Sequence, residues 1–489
     1  MLLLRRVIFA FFALLYLVVC PAVILYALGY LVKPGTDPRF VKTGLISIAT
    51  IPSGANVYLG NRRYTQLTPS VLRNLIPGSY PVRLAMKGYQ GWSRTVDVKP
   101  SRATVLDSVL LVPWQWPQKT LFEDSFDDLV PFPRREFLLL KRGTRLEGAV
   151  LYDAKTSKVW PLIDKGAPLA DARILAQTVM PGGLALLMRL HAYDRELILW
   201  VEARPRKEPQ VVDVTKLFLS KPQRVLWEAS DKHHLFSLKS GVLDRIDLSE
   251  QSVAPSLIEG VRGFGLLHRR LYVLKDDGTV LRTDMENKAP EILHRNDAVS
   301  RLLEAETAKV TLYPISDDLI LFLNERGQLM ANQFPFVLVD EGVVGLSYNL
   351  QPEQLLVWTR TRLGVLDLTT ETSNNTDGKR SLRDVHWTDV AAQSIKYAWW
   401  VHEGRNILFQ DQERIRLARI ETPQPAEIYD ITRVKRDSQS WYNESTGTLF
   451  FIEPKQGSLR ALAVLSRPES PSLASPDLSE SSEIEEKQP

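Results

Sequence analysis

The chain has 489 residues, 44% hydrophobic and 24% charged, with 30 prolines and eleven tryptophans. That is room for two or three domains with full cores, and the prolines lean toward β-rich structure with many turns. The net charge of +4 is mild, mixed in sign, and contains no Lys/Arg run longer than two, which argues against a nucleic-acid partner. The only cysteine, Cys20, excludes a disulfide within the chain and any Cys-based metal site.

Residues 1–6 are a short start containing Arg5 and Arg6, and an uncharged run follows from Val7 to Val32. At about 1.5 Å per residue it reaches about 39 Å, more than the hydrocarbon core of about 30 Å, so residues 7–32 are expected to be one helical transmembrane anchor. A cleavable signal has a shorter apolar region ending in small residues, and Val19-Cys20-Pro21-Ala22 offers no such site. Val19 is also too large to precede a lipidated cysteine, so Cys20 reads as a small apolar residue of the anchor. Pro21 can kink the helix, which a bilayer segment accommodates. Basic residues lie on both sides (Arg5 and Arg6; Lys33, Arg39 and Lys42), so charge alone does not orient it.

Residues 44–112 read as a small β-sandwich of six short strands. Leu45–Thr50 and Asn56–Leu59 have strand composition and flank the turn Pro52-Ser53-Gly54-Ala55. Gly60-Asn61 closes a hairpin, Thr68-Pro69 opens another strand, Pro77-Gly78 turns, and Lys87-Gly88-Tyr89 turns again. Gly54 and Gly78 are expected in conformations that a β-carbon disfavours.

This order of turns resembles the PEGA domain, a small bacterial envelope module named for its Pro-Glu-Gly-Ala turn; here Ser53 replaces the Glu. Val57-Tyr-Leu-Gly60, Thr68-Pro69, Leu75-Ile-Pro-Gly78, Lys87-Gly88-Tyr89 and Val109-Leu-Leu111 continue the match. The resemblance implies a spacer or binding surface without chemistry. With the short N-terminus and single anchor, it implies a cytoplasmic N-terminus and an extracytoplasmic bulk.

Residues 113–133, with four prolines and the acidic run Glu123–Asp128, read as a linker in which a continuous strand or helix is not expected. Trp114 and Trp116 read as clamps onto a neighbouring domain. From 134 to 465 one pattern recurs: Phe137–Leu140, Leu184–Leu187, Leu235–Leu238, Leu271–Leu274, Leu319–Phe322, Leu355–Trp358, Asn406–Phe409 and Thr448–Phe451, starting 36–51 residues apart. Companion strands carrying Asp follow at Val150–Asp153, Val242–Asp247, Val280–Asp284 and Gly364–Leu368; at Ile415–Arg419 the Asp is missing. Such a period of strands predicts a β-propeller of seven or eight blades. The pattern resembles degenerate propellers of the TolB type and WD-like propellers, although the TolB Ser-Pro-Asp-Gly turn is absent. An array of two-sheet sandwiches stays open as the rival. Residues 466–489, rich in Ser, Pro and Glu, are expected to be a disordered acidic tail.

No Gly-x-Ser-x-Gly, His-Glu-x-x-His or phosphate-binding loop occurs. Adjacent His233 and His234 would point to opposite faces of a strand, and Asn374–Gly378, followed by Lys379-Arg380, reads as a solvated loop and not a Ca²⁺ site. Trp387, Trp399 and Trp400, near His386 and His402, are expected to fill wedges between blades more than to stack on sugars. No catalytic, cofactor or metal residue is expected. The chain reads as a mainly β, single-pass envelope protein whose propeller is a non-catalytic scaffold docking a protein or cell-wall glycan. The alternative is an enzyme with its site at the central channel, which three or more converging His, Asp, Glu or Arg side chains would signal.

Overall fold

The computed structural model describes residues 2–27, 29–33, 39–133, 135–218, 220–228, 231–295, 310–317, 319–333, 336–349, 353–368, 384–401, 404, 406–420 and 426–465. The expected loop 374–378, His402 and the tail 466–489 lie outside them. The chain divides into two compact units, which meet in sequence between Gln115 and Trp116.

The first unit opens with helix α1 (Leu2–Ala27). Its Ile8–Ala27 portion has a mean hydropathy of 2.8 and no burial against the chain, so it is long and apolar enough to cross a bilayer. The uncharged run and the helix do not coincide. Gly29, at φ +79°, returns its N–H to the Tyr26 carbonyl, the kind of turn with which glycine ends helices. Beyond it lies a hairpin of β1 (Tyr30–Lys33) and β2 (Arg39–Lys42). The last residues of the expected anchor are therefore strand.

Seven strands follow where six were expected: β3 (Gly44–Ile51), β4 (Asn56–Leu59), β5 (Arg62–Leu67), β6 (Ser70–Leu75), β7 (Gly78–Ala85), β8 (Trp92–Val98) and β9 (Ala103–Leu110). They pair as a three-stranded sheet β6-β3-β9, with β3 and β9 parallel, and a four-stranded sheet β5-β4-β7-β8. Ile46, Ile48, Val57, Leu72, Val82, Leu84, Trp92 and Val96 fill the space between the sheets, as alternation along each strand requires. The unexpected strand β5 is an edge whose residues are almost all exposed, so it carries no apolar alternation to betray it.

The second unit contains eight four-stranded antiparallel sheets among the described residues. Seven run in sequence from Asp128–Pro131 to Glu427–Arg433. The eighth joins Trp441–Asn443, Thr448–Ile452 and Leu459–Ala463 to Gln118–Phe122, a strand from the beginning of the unit. Seven apolar clusters join each sheet to the next: the first to the second, on through the sixth to the seventh, and the eighth back to the first. The seventh and eighth meet through buried Gln410, whose amide donates to Ser438 O (2.8 Å) and accepts from Ser440 N (3.1 Å). The sheets thus close a ring, an eight-bladed propeller. Residues 113–133, expected as a linker, contain two strands, Gln118–Phe122 and Asp128–Pro131, that belong to the eighth and first blades.

First strands of neighbouring blades lie against one another, as Val261–Leu267 does against Val310–Pro314. A β-carbon at Gly263 would sit 2.2 Å from the Val310 carbonyl oxygen, and one at Gly265 2.7 Å from that of Leu312. Glycine is what permits this approach.

Phe322, Phe409 and Phe451 are fully buried, and Trp358 is 8% exposed. Truncation of Phe322 or Phe409 to Ala should cost about 3–5 kcal/mol, read from urea unfolding of a soluble form beginning at Trp116. Deleting Gln118–Phe122 from that form should leave Leu459–Ala463 as a bare edge and produce aggregates on gel filtration. A monomeric, cooperatively melting deletion would overturn the closed ring.

Candidate functional site

In the first unit the motif residues converge on one hydroxyl. Gly54 at φ +97° bends the Pro52-Ser53-Gly54-Ala55 turn back toward Thr68. Thr68 Oγ1 accepts from Gly54 N (3.2 Å) and Ala55 N (2.9 Å), and lies 2.5 Å from Thr50 Oγ1. Thr50 donates its one hydroxyl proton to Pro52 O at 2.7 Å, so Thr68 is the donor between the two threonines and keeps its lone pairs for the amides. Backbone bonds Gly54 N to Thr68 O and Thr68 N to Ala55 O complete the clasp ahead of Pro69. Gly60 N donates to Pro81 O, and the Gly88-Tyr89 turn holds Pro113 and Trp114 through a Tyr89–Pro113 bridge and Trp114 N to Gly88 O. These positions are structural.

Gly78 departs from expectation. It opens β7 after Pro77 without a positive φ, and a β-carbon there would meet nothing within 4 Å. The requirement for glycine lies at Gly54 alone of the two.

In the propeller, the recurring Asp is explained by the turn that follows it. Asp153 accepts from Lys155 N, Thr156 N and Thr156 Oγ1; Asp247 from Ser249 N, Ser249 Oγ and Glu250 N; Asp284 from Glu286 N and Lys288 N. Each carboxylate satisfies the amides of the tight turn between third and fourth strands. Arg419, where the Asp is missing, instead pairs with Glu427 at 2.6 Å.

His233 and His234 do not point to separate sites. The strand begins only at His234, and both rings reach Asp231: His234 Nδ1 at 2.8 Å and His233 Nδ1 at 3.4 Å. His234 Nε2 lies 3.1 Å from Asp247 Oδ2, and the His233 ring meets Trp200 edge-on. Burial opposes ionisation of Asp247, but the Ser249 hydroxyl, the Glu250 and Ser249 amides and His234 overcome it and hold its pKa down at about 2. Among the described residues no group of three or more His, Cys, Asp or Glu is arranged to hold a metal.

Trp400 fills the wedge between the sixth and seventh blades, its Nε1 donating to Ser347 O at 3.1 Å. Trp387 packs in the wedge between the fifth and sixth, under the Arg362 guanidinium. Trp399 instead stacks on Tyr397, ring centres 6.0 Å apart. Charges on the first strands pair locally: Asp128 with Lys141 (2.8 Å), Arg262 with Asp276 (3.3 Å), Lys396 with Asp437 (2.7 Å).

Sequence reasoning missed a cleft of about 310 Å³ between the second and third blades. Leu187, Ile198, Phe218 and Val225 give it an apolar floor, with Thr178 and Gln223 as hydrogen-bonding groups. Arg189 at its edge is held 3.4 Å from Glu196, which also binds Lys221 at 2.9 Å; the Lys221 bond, against a small burial effect, draws the Glu196 pKa below the usual range. Its lining comes from stretches up to 49 residues apart, Ala176 to Val225, so no linear motif announces it. An apolar pocket of this size with a few polar groups suits an inserted side chain or small ligand.

Residues 43–111 match the PEGA domain family. No curated protein matches the chain. Among solved structures it is similar to the C-terminal WD40 domain of Sif2, at 12% identity over 72% of this chain and 99% of that one, TM-score 0.46. It is also similar to the β-propeller domain of Cps50 (Swd1) from Myceliophteria thermophila, at 10% identity over 71% and 99%, TM-score 0.40. A third is PorZ, described as an essential bacterial surface component of the type-IX secretion system of Porphyromonas gingivalis, at 14% identity over 68% and 42%, TM-score 0.37.

Two outcomes follow from these sites. Thr68→Val should cost the 43–113 fragment about 2 kcal/mol by stranding Ala55 N, and Gly54→Ala about 1 kcal/mol, while Gly78→Val should leave the urea midpoint nearly unchanged. An equal loss at Gly78 would contradict the clasp. For Asp247, the folded pKa of about 2 lies below the ordinary 3.8, so its contribution is full above pH 3.8 and fades as pH falls through about 2. Asp247→Asn should therefore destabilise the propeller by about 2 kcal/mol at pH 6 and by progressively less toward pH 2. A penalty independent of pH would count against this account.

Proposed function

We propose that this chain is a membrane-anchored, extracytoplasmic envelope scaffold whose propeller docks a protein or cell-wall glycan and catalyses nothing. The observation that carries the reading is the closed eight-bladed ring, a rigid disc with turns on two faces. The apolar helix α1 supports the anchoring, and the PEGA match supports the extracytoplasmic side. A protein partner is favoured over a glycan at the cleft of the second and third blades, because its floor is apolar and Phe218 its one aromatic lining group. Sugars are held mainly by broad aromatic faces, of which the cleft has one.

The test fills the cleft. Thr178→Trp, made in the full chain and checked for unchanged melting, should abolish the partners recovered by crosslinking the envelope fraction. Isolated cell-wall polymer should bind wild type and variant equally weakly. Identical crosslinked partners in both proteins would remove the cleft as the docking site. Strong polymer binding lost on filling the cleft would favour the glycan.

A further inference from the structure

The outer face of the sheet β5-β4-β7-β8 carries a row of polar side chains that faces solvent. Arg63, Tyr58, Arg83 and Ser93 are register partners across the four strands. Val57, Leu59, Val82 and Leu84 beside them point into the core, so alternation turns the row outward. Arg63, Arg83 and Ser93 are exposed, and Tyr58 is half-buried.

Both guanidinium groups are held in place. Arg83 sits over the Tyr58 ring, 4.3 Å from its centre. Arg63 Nη2 donates to Asn56 Oδ1 at 2.6 Å, and Asn56 Nδ2 donates in turn to Ala85 O at 3.3 Å. The two arginines lie two strand spacings apart, about 10 Å. Neither is paired with a carboxylate among the described residues. Of the two acids in residues 43–111, Asp97 accepts from Ser79 about 14 Å further along β8, and Asp107 lies on β9 in the other sheet. A guanidinium has five donors, of which Arg63 uses one. The row is therefore a fixed cationic surface without a counter-charge.

One segment of this chain has the matching chemistry. Between Asp477 and Glu486 five of ten residues are acidic and none is basic. Carboxylates three residues apart, such as Glu480 and Glu483, can span a gap of about 10 Å. The segment is also within reach. Leu462 is the register partner of Gln118, three residues past the end of the first unit at Gln115. From Val464 to Asp477 the chain extends up to about 45 Å, whereas a module of this length is about 30 Å across.

We infer that Asp477–Glu486 docks on the Arg63–Tyr58–Arg83 row and shields it, so that an external anion must displace the chain's own segment. Arg63 and Arg83 bind its carboxylates, and Tyr58 holds Arg83 in position. Tethering keeps the segment at a local concentration of about a millimolar, enough for a contact made of a few screened ion pairs. The inference depends neither on the cleft nor on α1 crossing a bilayer.

A photo-crosslinker tests it in the full chain. p-Benzoylphenylalanine at Ser93, opposite Arg83, reports the row, and the same group at Val105, 55% exposed on β9 of the other sheet, is the reference. Mass spectrometry of the illuminated monomer should find adducts to residues 477–486 about fivefold more often from position 93 than from position 105. That yield should fall to the reference in Arg63→Gln/Arg83→Gln, in Glu480→Gln/Glu483→Gln/Glu485→Gln/Glu486→Gln, and in 1 M salt, with melting unchanged in both variants. Neutralising the four glutamates should also raise the affinity of the full chain for polyphosphate several-fold. Equal yields from positions 93 and 105 would overturn the docking. A yield indifferent to both sets of substitutions and to salt would overturn recognition by charge. Adducts from position 93 to other molecules and none to 477–486 would give the row to an external occupant, and an unchanged polyphosphate affinity would remove the shield.

Discussion

The propeller depends on one strand pairing. Gln118–Phe122 lies antiparallel to Leu459–Ala463, Gln118 opposite Leu462 and Phe122 opposite Leu459. Without it the eighth blade would have three strands and an open edge, and the first and eighth blades would be joined by packing of Phe126, Leu138, Tyr152, Phe450 and Ile452 and by a few hydrogen bonds such as Gln439 N to Asp128 Oδ1 (2.8 Å). Closing more than 330 residues of chain by a single short ribbon is tolerable because loop entropy grows only logarithmically with length. Lys435 reinforces the seam, donating to Phe126 O (2.8 Å) and pairing with Asp127 (2.7 Å). Asp127 is accordingly held below the usual carboxylate range by Lys435 and by the Gly143 amide.

What was legible in the sequence follows from where each strand sits. All eight apolar runs are the second strands of successive blades, and the Asp-bearing companions are the third. These two are covered on both faces, so Leu138, Leu139 and Leu140, or Leu355, Leu356 and Val357, must all be apolar. Fourth strands are edges: Lys158–Pro161 and His386–Asp389 are half-buried at most, and their sequences resemble loops. First strands are constrained by approach more than by hydropathy, as Gly263 and Gly265 illustrate, and glycine within a run reads as a turn. The closing strand was hidden for the same reason. Gln118-Lys119-Thr120 is exposed and lies among prolines, and its partner is more than 330 residues away.

The candidate sites divide along the same line. The Thr68 clasp is built within 19 residues, from Thr50 to Thr68, so its spacing shows in the sequence as turn residues at fixed intervals. Gly78 shows the limit of that inference, since Pro-Gly names a turn without fixing which residue carries a positive φ. In the propeller the groups that meet are distant. Tyr272 donates to Asp317 at 2.6 Å across 45 residues, and burial with that carboxylate pushes its pKa up to about 12. The cleft of the second and third blades is likewise assembled from separate strands. Linear motifs report local geometry only, which is why the cleft stayed invisible while the module's turns did not.

Thr43 gathers several constraints in the first unit. It donates to Gly29 O through backbone and side chain, and its own carbonyl accepts from Ser101 N at 3.0 Å. Next to it, a β-carbon at Gly44 would lie 2.5 Å from Lys99 O, so the start of β3 is pressed against the turn into β9. Helix end, hairpin base and the parallel pair β3–β9 are therefore tied within two residues. A flexible tether would let the module tumble independently of α1, whereas this junction lets a tilt of α1 pass directly into the sandwich. The residues from 43 to 111 include eight basic and only two acidic ones. A module so charged would be drawn to any anionic surface brought within about a Debye length of it.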